Sequence, residues 1–412
     1  MLNTRRIRSF TKLALVASLA MGAAVAACGD DDNYVVRTRN DGGADATTEG
    51  GLPNTLSCGL PIPTSYDSPN FAVNAKEELD LKANVDLLET TMKSAEGTGT
   101  AAVTAAQLKA IFMAGTPSLY SIATAAAQAK IDVYLTQFGD AVGKTWTPAD
   151  ADAAAADGGA DGGADGGAAV ATTGGKYENA NIFSATGVDL REGTLKIILG
   201  GALYNHALAL ASGPITEATV DRLLAVYGAT TKFAHRTDAD AGADEKDELV
   251  AEYAARRDNP VATTPGSYRK IRGALLVAKA AAAGGEKCRT DLDAALAIYR
   301  LEWEKASLAT VIYYLNAAAT NALAAPVKGP AALHGFGEAL GFIQCFKGIP
   351  QDRRKITDVQ IDALFTLVGG DTPYQLITRT GERVVAFNTA FQQIGAIYGM
   401  TQTDIEDAKK SY

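Results

Sequence analysis

From residue 71 onward, apolar positions recur every three or four residues, as in Phe71, Leu79, Leu81, Val85, Leu88 and Met92. That spacing places side chains on one face of a helix, whereas a half-buried strand requires alternation. The same period predicts helices at 104–114, 118–138, 188–211, 217–227, 244–257, 267–283, 291–323, 331–347, 358–368 and 381–398. Thr357 with Gln360, and Thr403 with Glu406, stand at capping-box spacing. Gly228, Gly284, Gly369 and Gly399 stand where helices need a left-handed C-cap. No convincing strand bounded by hairpin turns is present in the pattern. The reading is an all-α, multi-helix domain over 66–400, followed by a C-terminal helix or tail at 401–412.

Segment 291–323 carries the strongest stripe. Leu292, Leu296, Tyr299, Trp303, Ala306, Thr310 and Tyr313 follow 4-3-4-3 intervals, which marks a core helix. Trp303, Tyr313 and Tyr314 are expected as core aromatics, and Glu302 and Glu304, flanking Trp303, as solvent-facing. His206 lies on a mostly apolar helix and is expected as a satisfied core histidine. His235 precedes an acidic stretch at 236–248, expected as a loop leading into a helix, and is expected exposed.

Two stretches lack any apolar period. Residues 149–171 contain only Ala, Asp and Gly apart from Val170. Such a chain cannot bury enough apolar area to offset its ordering entropy, so a disordered insertion is expected near 147–175. Residues 28–65 are polar and rich in Gly, Asp, Thr and Pro, and predict a flexible tether.

Before the tether stands a targeting segment. Arg5, Arg6, Arg8 and Lys12 precede a short apolar run, Leu13 to Val25, which ends Val25-Ala26-Ala27-Cys28. Small residues before a cysteine match a bacterial lipobox, so residues 1–27 are expected to be removed as a lipoprotein signal peptide and Cys28 to be acylated. Several acyl chains, at about 0.8 kcal/mol per buried methylene, make a lasting anchor. Gly29 follows Cys28, where Asp would resemble an inner-membrane retention signal, so outer-membrane delivery is the default. Asp30-Asp31-Asp32 fits either surface display or the start of a solvated tether.

Composition narrows the partners. The chain has 412 residues, 47% hydrophobic and 21% charged, which excludes a wholly disordered or fibrous protein. The net charge of −9 becomes −13 once four basic and no acidic side chains leave with residues 1–27. A phosphate backbone needs a basic face, so nucleic acid is not an expected partner. Acylation of Cys28 leaves Cys58, Cys288 and Cys345, enough for one disulfide and one thiol in an oxidising envelope. Helices 291–323 and 331–347, joined by a short loop, should run antiparallel. Cys345 then lies beside position 308 and roughly 30 Å from Cys288, at 1.5 Å per residue. That disfavours Cys288–Cys345 unless the long helix breaks, and of the two pairings that use Cys58, Cys58–Cys345 is the preferred expectation.

Candidate chemistry concentrates on the segment after that loop. His334 and Glu338 are four apart and share a helix face. Gly335, Gly337 and Gly341 would let another helix approach closely. The pair reads either as two ligands for a transition metal such as Fe, Zn or Mn, or as a buried histidine–carboxylate contact. No nucleophile elbow, P-loop or dinucleotide fingerprint is present.

Several motifs carry a resemblance: Leu301-Glu302-Trp303-Glu304-Lys305-Ala306, Tyr313-Tyr314-Leu315-Asn316, His334-Gly335-Phe336-Gly337-Glu338-Ala339-Leu340-Gly341-Phe342, Lys355-Ile356-Thr357-Asp358-Val359-Gln360-Ile361-Asp362 and Ile397-Tyr398-Gly399. Together the sequence resembles the bacterial lipoprotein family catalogued as domain of unknown function 4856, itself distantly similar to imelysin. The resemblance spans about 66–400. It implies a pair of packed helical bundles and a link to iron or haem acquisition, with an iron- or haem-bearing ligand or an envelope uptake protein as partner. Imelysin-type proteins carry His-x-x-Glu on a core helix; here the spacing is His-x-x-x-Glu, so a peptidase activity does not carry over. The expectation is an envelope-anchored, non-catalytic ligand-binding lipoprotein with a transition metal or haem as cofactor. The alternatives are a metal-dependent, imelysin-like hydrolase and a structural surface protein.

Overall fold

The computed structural model describes residues 54–157, 173–235, 238, 241–242 and 245–412. The expected signal segment, Cys28, the expected tether as far as residue 53, and residues 158–172 of the expected insertion lie outside the described residues. The first half comprises α1 (Phe71–Asn74), α2 (Lys76–Lys93), α3 (Ala105–Phe112), α4 (Leu119–Ile122), α5 (Ala125–Ala141) and α6 (Pro148–Asp157). A two-residue antiparallel hairpin, β1 (Gly175–Lys176) with β2 (Ile182–Phe183), pairs Gly175 with Phe183. The chain then enters α7 (Leu190–Ile198), a π-helical turn (Leu199–Tyr204), α8 (Asn205–Leu210), α9 (Glu217–Tyr227) and α10 (Leu249–Arg256). The second half contains α11 (Ser267–Gly284), α12 (Arg289–Ala322), α13 (Gly329–Gln344), α14 (Asp358–Val368), α15 (Gln375–Thr378), α16 (Thr380–Tyr398) and α17 (Gln402–Ala408). The all-α reading therefore holds. Among the described residues no helix is long and apolar enough to cross a membrane.

α12 is the axis of the packing. α11 lies along one side, α13 along another, and α13 is backed by α7, which in turn packs on α5. Every residue of the 4-3-4-3 stripe is buried, and Trp303, Tyr313 and Tyr314 are core aromatics. One continuous apolar core runs through all these elements. α13 approaches α7 at two glycines. A Cβ on Gly337 would lie 2.6 Å from the Asp189 Cβ, and one on Gly341 would lie 2.7 Å from the Lys196 Cβ. Gly335 faces α12 instead, at ordinary contact distance.

Local signals behave unevenly. The Thr357–Gln360 capping box forms, as do the left-handed caps at Gly228, Gly369 and Gly399. Gly284 is the last residue of α11, and Gly285 takes the positive φ of 65°. The final helix is capped by Thr401 with Asp404, two residues earlier than Thr403 with Glu406. Segment 118–138 breaks at Ala123, which is extended, so Thr124 can cap α5. The flanks of the expected insertion are ordered: 148–157 is helical, Thr147 and Asp150 cap one another, and 175–176 pair in the hairpin.

Residues 54–65, expected within the tether, belong to the folded domain. Leu56 and Tyr66 are buried, and Ser57 donates to Asp291 through both its N–H (3.1 Å) and its hydroxyl (2.7 Å). Asp221 gathers Tyr66 Oη (2.8 Å), Ser68 Oγ (2.7 Å), Asn74 Nδ2 (2.7 Å) and Lys279 Nζ (2.7 Å). The disulfide joins Cys58 to Cys288, not to Cys345. Cys288 does not pair with Cys345, in keeping with the helical ruler. The ruler could not show that residues 54–66 strap across the α11–α12 junction, which brings Cys58 to Cys288. Cys345 is a free thiol buried beside Gly200, and burial pushes its pKa well up.

Glu302 and Glu304 do not point to solvent. Glu302 accepts from Ser267 Oγ (2.7 Å) and Lys270 Nζ (3.1 Å). Glu304, 1% exposed, accepts from the N–H groups of Lys355 (2.9 Å) and Ile356 (3.2 Å) and from the hydroxyls of Tyr204 and Tyr398 (both 3.1 Å). Burial pushes the Glu304 carboxyl up against these four donors. Glu304→Gln replaces one acceptor oxygen with an N–H facing donors. The expected loss is about 1–3 kcal/mol in urea denaturation. An unchanged midpoint would contradict the hub.

Candidate functional site: a buried charge network between two helices

The segment Asp189-Leu190-Arg191-Glu192-Gly193-Thr194-Leu195-Lys196 forms the start of α7 inside the protein, and all its residues are buried. Asp189 caps the helix by accepting from the Glu192 N–H at 3.0 Å. Because α13 crosses so closely at Gly337 and Gly341, His334 and Glu338 meet Asp189, Glu192 and Lys196. His334 Nδ1 lies 2.9 Å from Asp189 Oδ2, and its Nε2 lies 3.3 Å from Glu338 Oε1. Asn181, just before β2, donates to the same Asp189 oxygen at 2.6 Å. Lys196 Nζ lies 2.5 Å from Glu192 Oε2 and 3.2 Å from Glu338 Oε2, over the Tyr253 ring at 5.0 Å. Arg191 pairs with Glu192 and, at 2.6 Å, with Glu96.

The electrostatics follow from this arrangement. Burial disfavours the His334 imidazolium, but Asp189 and Glu338 outweigh it and hold the pKa well above the usual histidine range. Burial likewise opposes ionisation of Glu192, and Arg191 and Lys196 outweigh it. Glu338 is held low by Lys196 and His334 against its own desolvation. Three cations, Arg191, Lys196 and His334, thus face the three acids Asp189, Glu192 and Glu338, and Glu96 closes the Arg191 end. Opposite charges at this depth must be paired, because each alone carries a desolvation cost of several kcal/mol.

Glu192, His334 and Glu338 each offer a ligand atom, and these atoms lie within 4.8 Å of one another. Imidazole with two carboxylates suits Fe, Zn or Mn. Neither Glu338 oxygen accepts a hydrogen bond of ordinary geometry, which leaves capacity for a ligand. Against this, the Lys196 ammonium already stands between Glu192 and Glu338. A dication there would have to displace it and take a neutral His334. Binding would therefore release protons and weaken in acid.

His206 is satisfied, with Nε2 2.8 Å from Glu78 Oε1. His235 is 3% exposed, not solvent-facing: its backbone N–H donates to Asp238 at 2.8 Å, and residues 230–235 fold onto α11 through the Phe233 carbonyl and Tyr268. Asp247 holds that loop, accepting from the Thr230 N–H (2.8 Å) and Tyr268 Oη (2.5 Å). Burial pushes the Asp247 carboxyl up to about 7.

Asp247 and His334 predict one direction of pH dependence. Asp247 is easier to protonate folded than unfolded, so its ionisation costs stability as pH rises from about 4 to 7. The His334 contribution is complete below its unfolded pKa of about 6.5 and is lost as pH climbs through the raised folded value. Glu192 and Glu338, held low, contribute a constant amount above about pH 4.5. The melting temperature should therefore fall steadily from pH 5.5 to pH 8.5 in calorimetry. A flat or rising profile would overturn the assignment.

A separate cleft of about 220 Å³ opens between the end of α10, the 258–266 loop, the first turn of α11, the middle of α12 and residues 400–408. None of the charge-network residues lines it. Asp189, Glu192 and Lys196 escaped the sequence reading, although charged residues at three- and four-residue spacing in an apolar helix are a signal for an internal polar face. No family model, no curated protein and no solved structure matches the chain.

Proposed function

We propose that this chain is a lipid-anchored protein of the cell envelope whose helical domain binds a ligand without transforming it. The Cys58–Cys288 disulfide is the observation that carries the envelope reading. Disulfides persist in oxidising compartments, which accords with export through a signal segment ending at Cys28. Gly29 favours delivery to the outer membrane, and the acidic run after it suits display at the surface. The non-catalytic reading rests on the engagement of Asp189, Glu192, Lys196, His334 and Glu338 with one another. Groups committed to mutual ion pairs hold helices together and are not poised to transfer protons to a substrate.

A second reading, a transition-metal centre at Glu192, His334 and Glu338, is favoured by the open Glu338 oxygens. It is the route by which the implied role in iron acquisition would operate, and a metal-dependent hydrolase would need the same ligands. Haem is a poorer fit to the cleft, which at about 220 Å³ is below the roughly 300–1,000 Å³ of ordinary ligand pockets.

Mass spectrometry of the membrane fraction tests the anchor. The expected N-terminus is an acylated Cys28 with residues 1–27 gone. An intact Met1 or an unmodified Cys28 would overturn it.

A further inference from the structure

The cleft beside α17 contains a charge that its surroundings do not answer. Of its three acids, Asp258 and Asp407 are paired with cations, and the exposed Asp404 caps a helix without an ion pair among the described residues. Asp258 accepts from the N–H groups of Gly266 (3.1 Å) and Arg269 (2.9 Å) and pairs with the Arg269 guanidinium at 2.7 Å. Asp407 takes Asn259 Nδ2 (3.1 Å), Tyr412 Oη (2.8 Å) and Lys410 Nζ (3.0 Å). Asp404 caps Thr401 at 2.7 Å. Two of the lining cations are engaged as well, Arg269 by Asp258 and Lys270 by Glu302 at 3.1 Å. Arg257 stacks on the Tyr313 ring, 3.5 Å from its centroid, and donates to the Lys410 carbonyl. Lys305 differs. It is half-buried on α12, lines the cleft, and forms no ion pair among the described residues.

We infer that this cleft binds a small organic monocarboxylate, with Lys305 as its charge partner and the apolar floor of Ala306, Ala309 and Met400 under its carbon chain. One unanswered ammonium in a concave, partly desolvated site attracts one negative charge more strongly than an exposed lysine would, because the walls exclude screening water. A phosphate dianion carries more charge and acceptor oxygens than one ammonium can answer. Met400, in the lining, supplies a flexible wall that adapts to the carbon chain. The inference names a ligand class for the proposed binding protein and rests on that reading.

The test uses the full mature chain in detergent, ¹³C-labelled at the methionine methyls. Loss of residues 1–27 leaves Met92, Met113 and Met400, of which only Met400 lines the cleft. Titration with butyrate should shift the Met400 methyl saturably and leave Met92 and Met113 in place. Lys305→Gln should weaken that binding at least tenfold with an unchanged melting temperature, and Lys305→Arg should retain most of it. No shift at Met400, an equal response to neutral butyramide, equally tight displacement by phosphate, or full affinity in Lys305→Gln would each overturn the inference. Failure of the titration on a chain that carries its Cys28 acyl groups removes the ligand class and leaves the envelope placement standing. Loss of the acyl groups with an intact titration does the reverse.

Discussion

Lys196→Met should destabilise the protein by about 3–5 kcal/mol, the cost of removing one partner from a buried charge pair. Lys196 is 2% exposed and stands between Glu192 and Glu338, both fully buried. Methionine preserves most of the stem's packing, so the loss reports the missing charge. Glu192 retains Arg191, but Glu338 retains only His334. Adding Glu338→Gln to the same chain should recover part of the loss, because it removes the stranded charge. Urea denaturation of the two variants provides the comparison, and a single variant within about 0.5 kcal/mol of the parent, the range of an ordinary surface change, would show that the network does not hold the fold. The same variant separates the two readings of the cluster. With Lys196 gone, a true metal centre should gain a zinc- or iron-dependent rise in melting temperature, since a ligand bound only to the folded state stabilises it. A purely structural network should show none.

Breaking the Cys58–Cys288 bond is the second large effect. The bond closes a loop with a sequence separation of 230, for which chain entropy alone gives about 5 kcal/mol at 25 °C. Strap contacts through Ser57 and Tyr66 survive in the folded state, so the effect falls mainly on the unfolded chain. Cys58→Ser with Cys288→Ser should lower the midpoint of denaturation strongly and leave the far-ultraviolet spectrum of the folded protein unchanged. Alkylation of the denatured, unreduced parent, mapped by peptide, should label Cys345 and leave Cys58 and Cys288 unlabelled. Labelling at Cys58 or Cys288, or an unchanged midpoint in the double variant, would contradict the pairing.

The fold class was legible because helix formation leaves a local, periodic record. The stripe from Leu292 to Tyr313 is a statement about one helix, and it held along its length. The caps at Thr357, Gly228, Gly369 and Gly399 were legible for the same reason: each satisfies backbone groups within a few residues of itself. Half of the candidate site was legible too. His334 and Glu338 are one turn apart, so their common face required no knowledge of the rest of the chain.

Their partners were another matter. Asp189, Glu192 and Lys196 reach them only because α13 crosses α7 at two glycines, a packing event between segments about 145 residues apart. Glu304 reads as a surface acid beside a core tryptophan until the 355–356 backbone and two tyrosines from other helices converge on it. His235 is likewise buried by a loop that folds onto α11. Cys58 found Cys288 because an irregular strap, which has no period to read, crosses the α11–α12 junction. The sequence by itself thus determined which residues form helices and which faces turn inward, since those depend on backbone hydrogen bonds and side-chain period. Which charges neutralise one another, and which cysteines meet, only the tertiary structure decided. Those pairings are set by where helices cross, and burial then makes them obligatory, because an unpaired charge in the core costs more than the fold can spare.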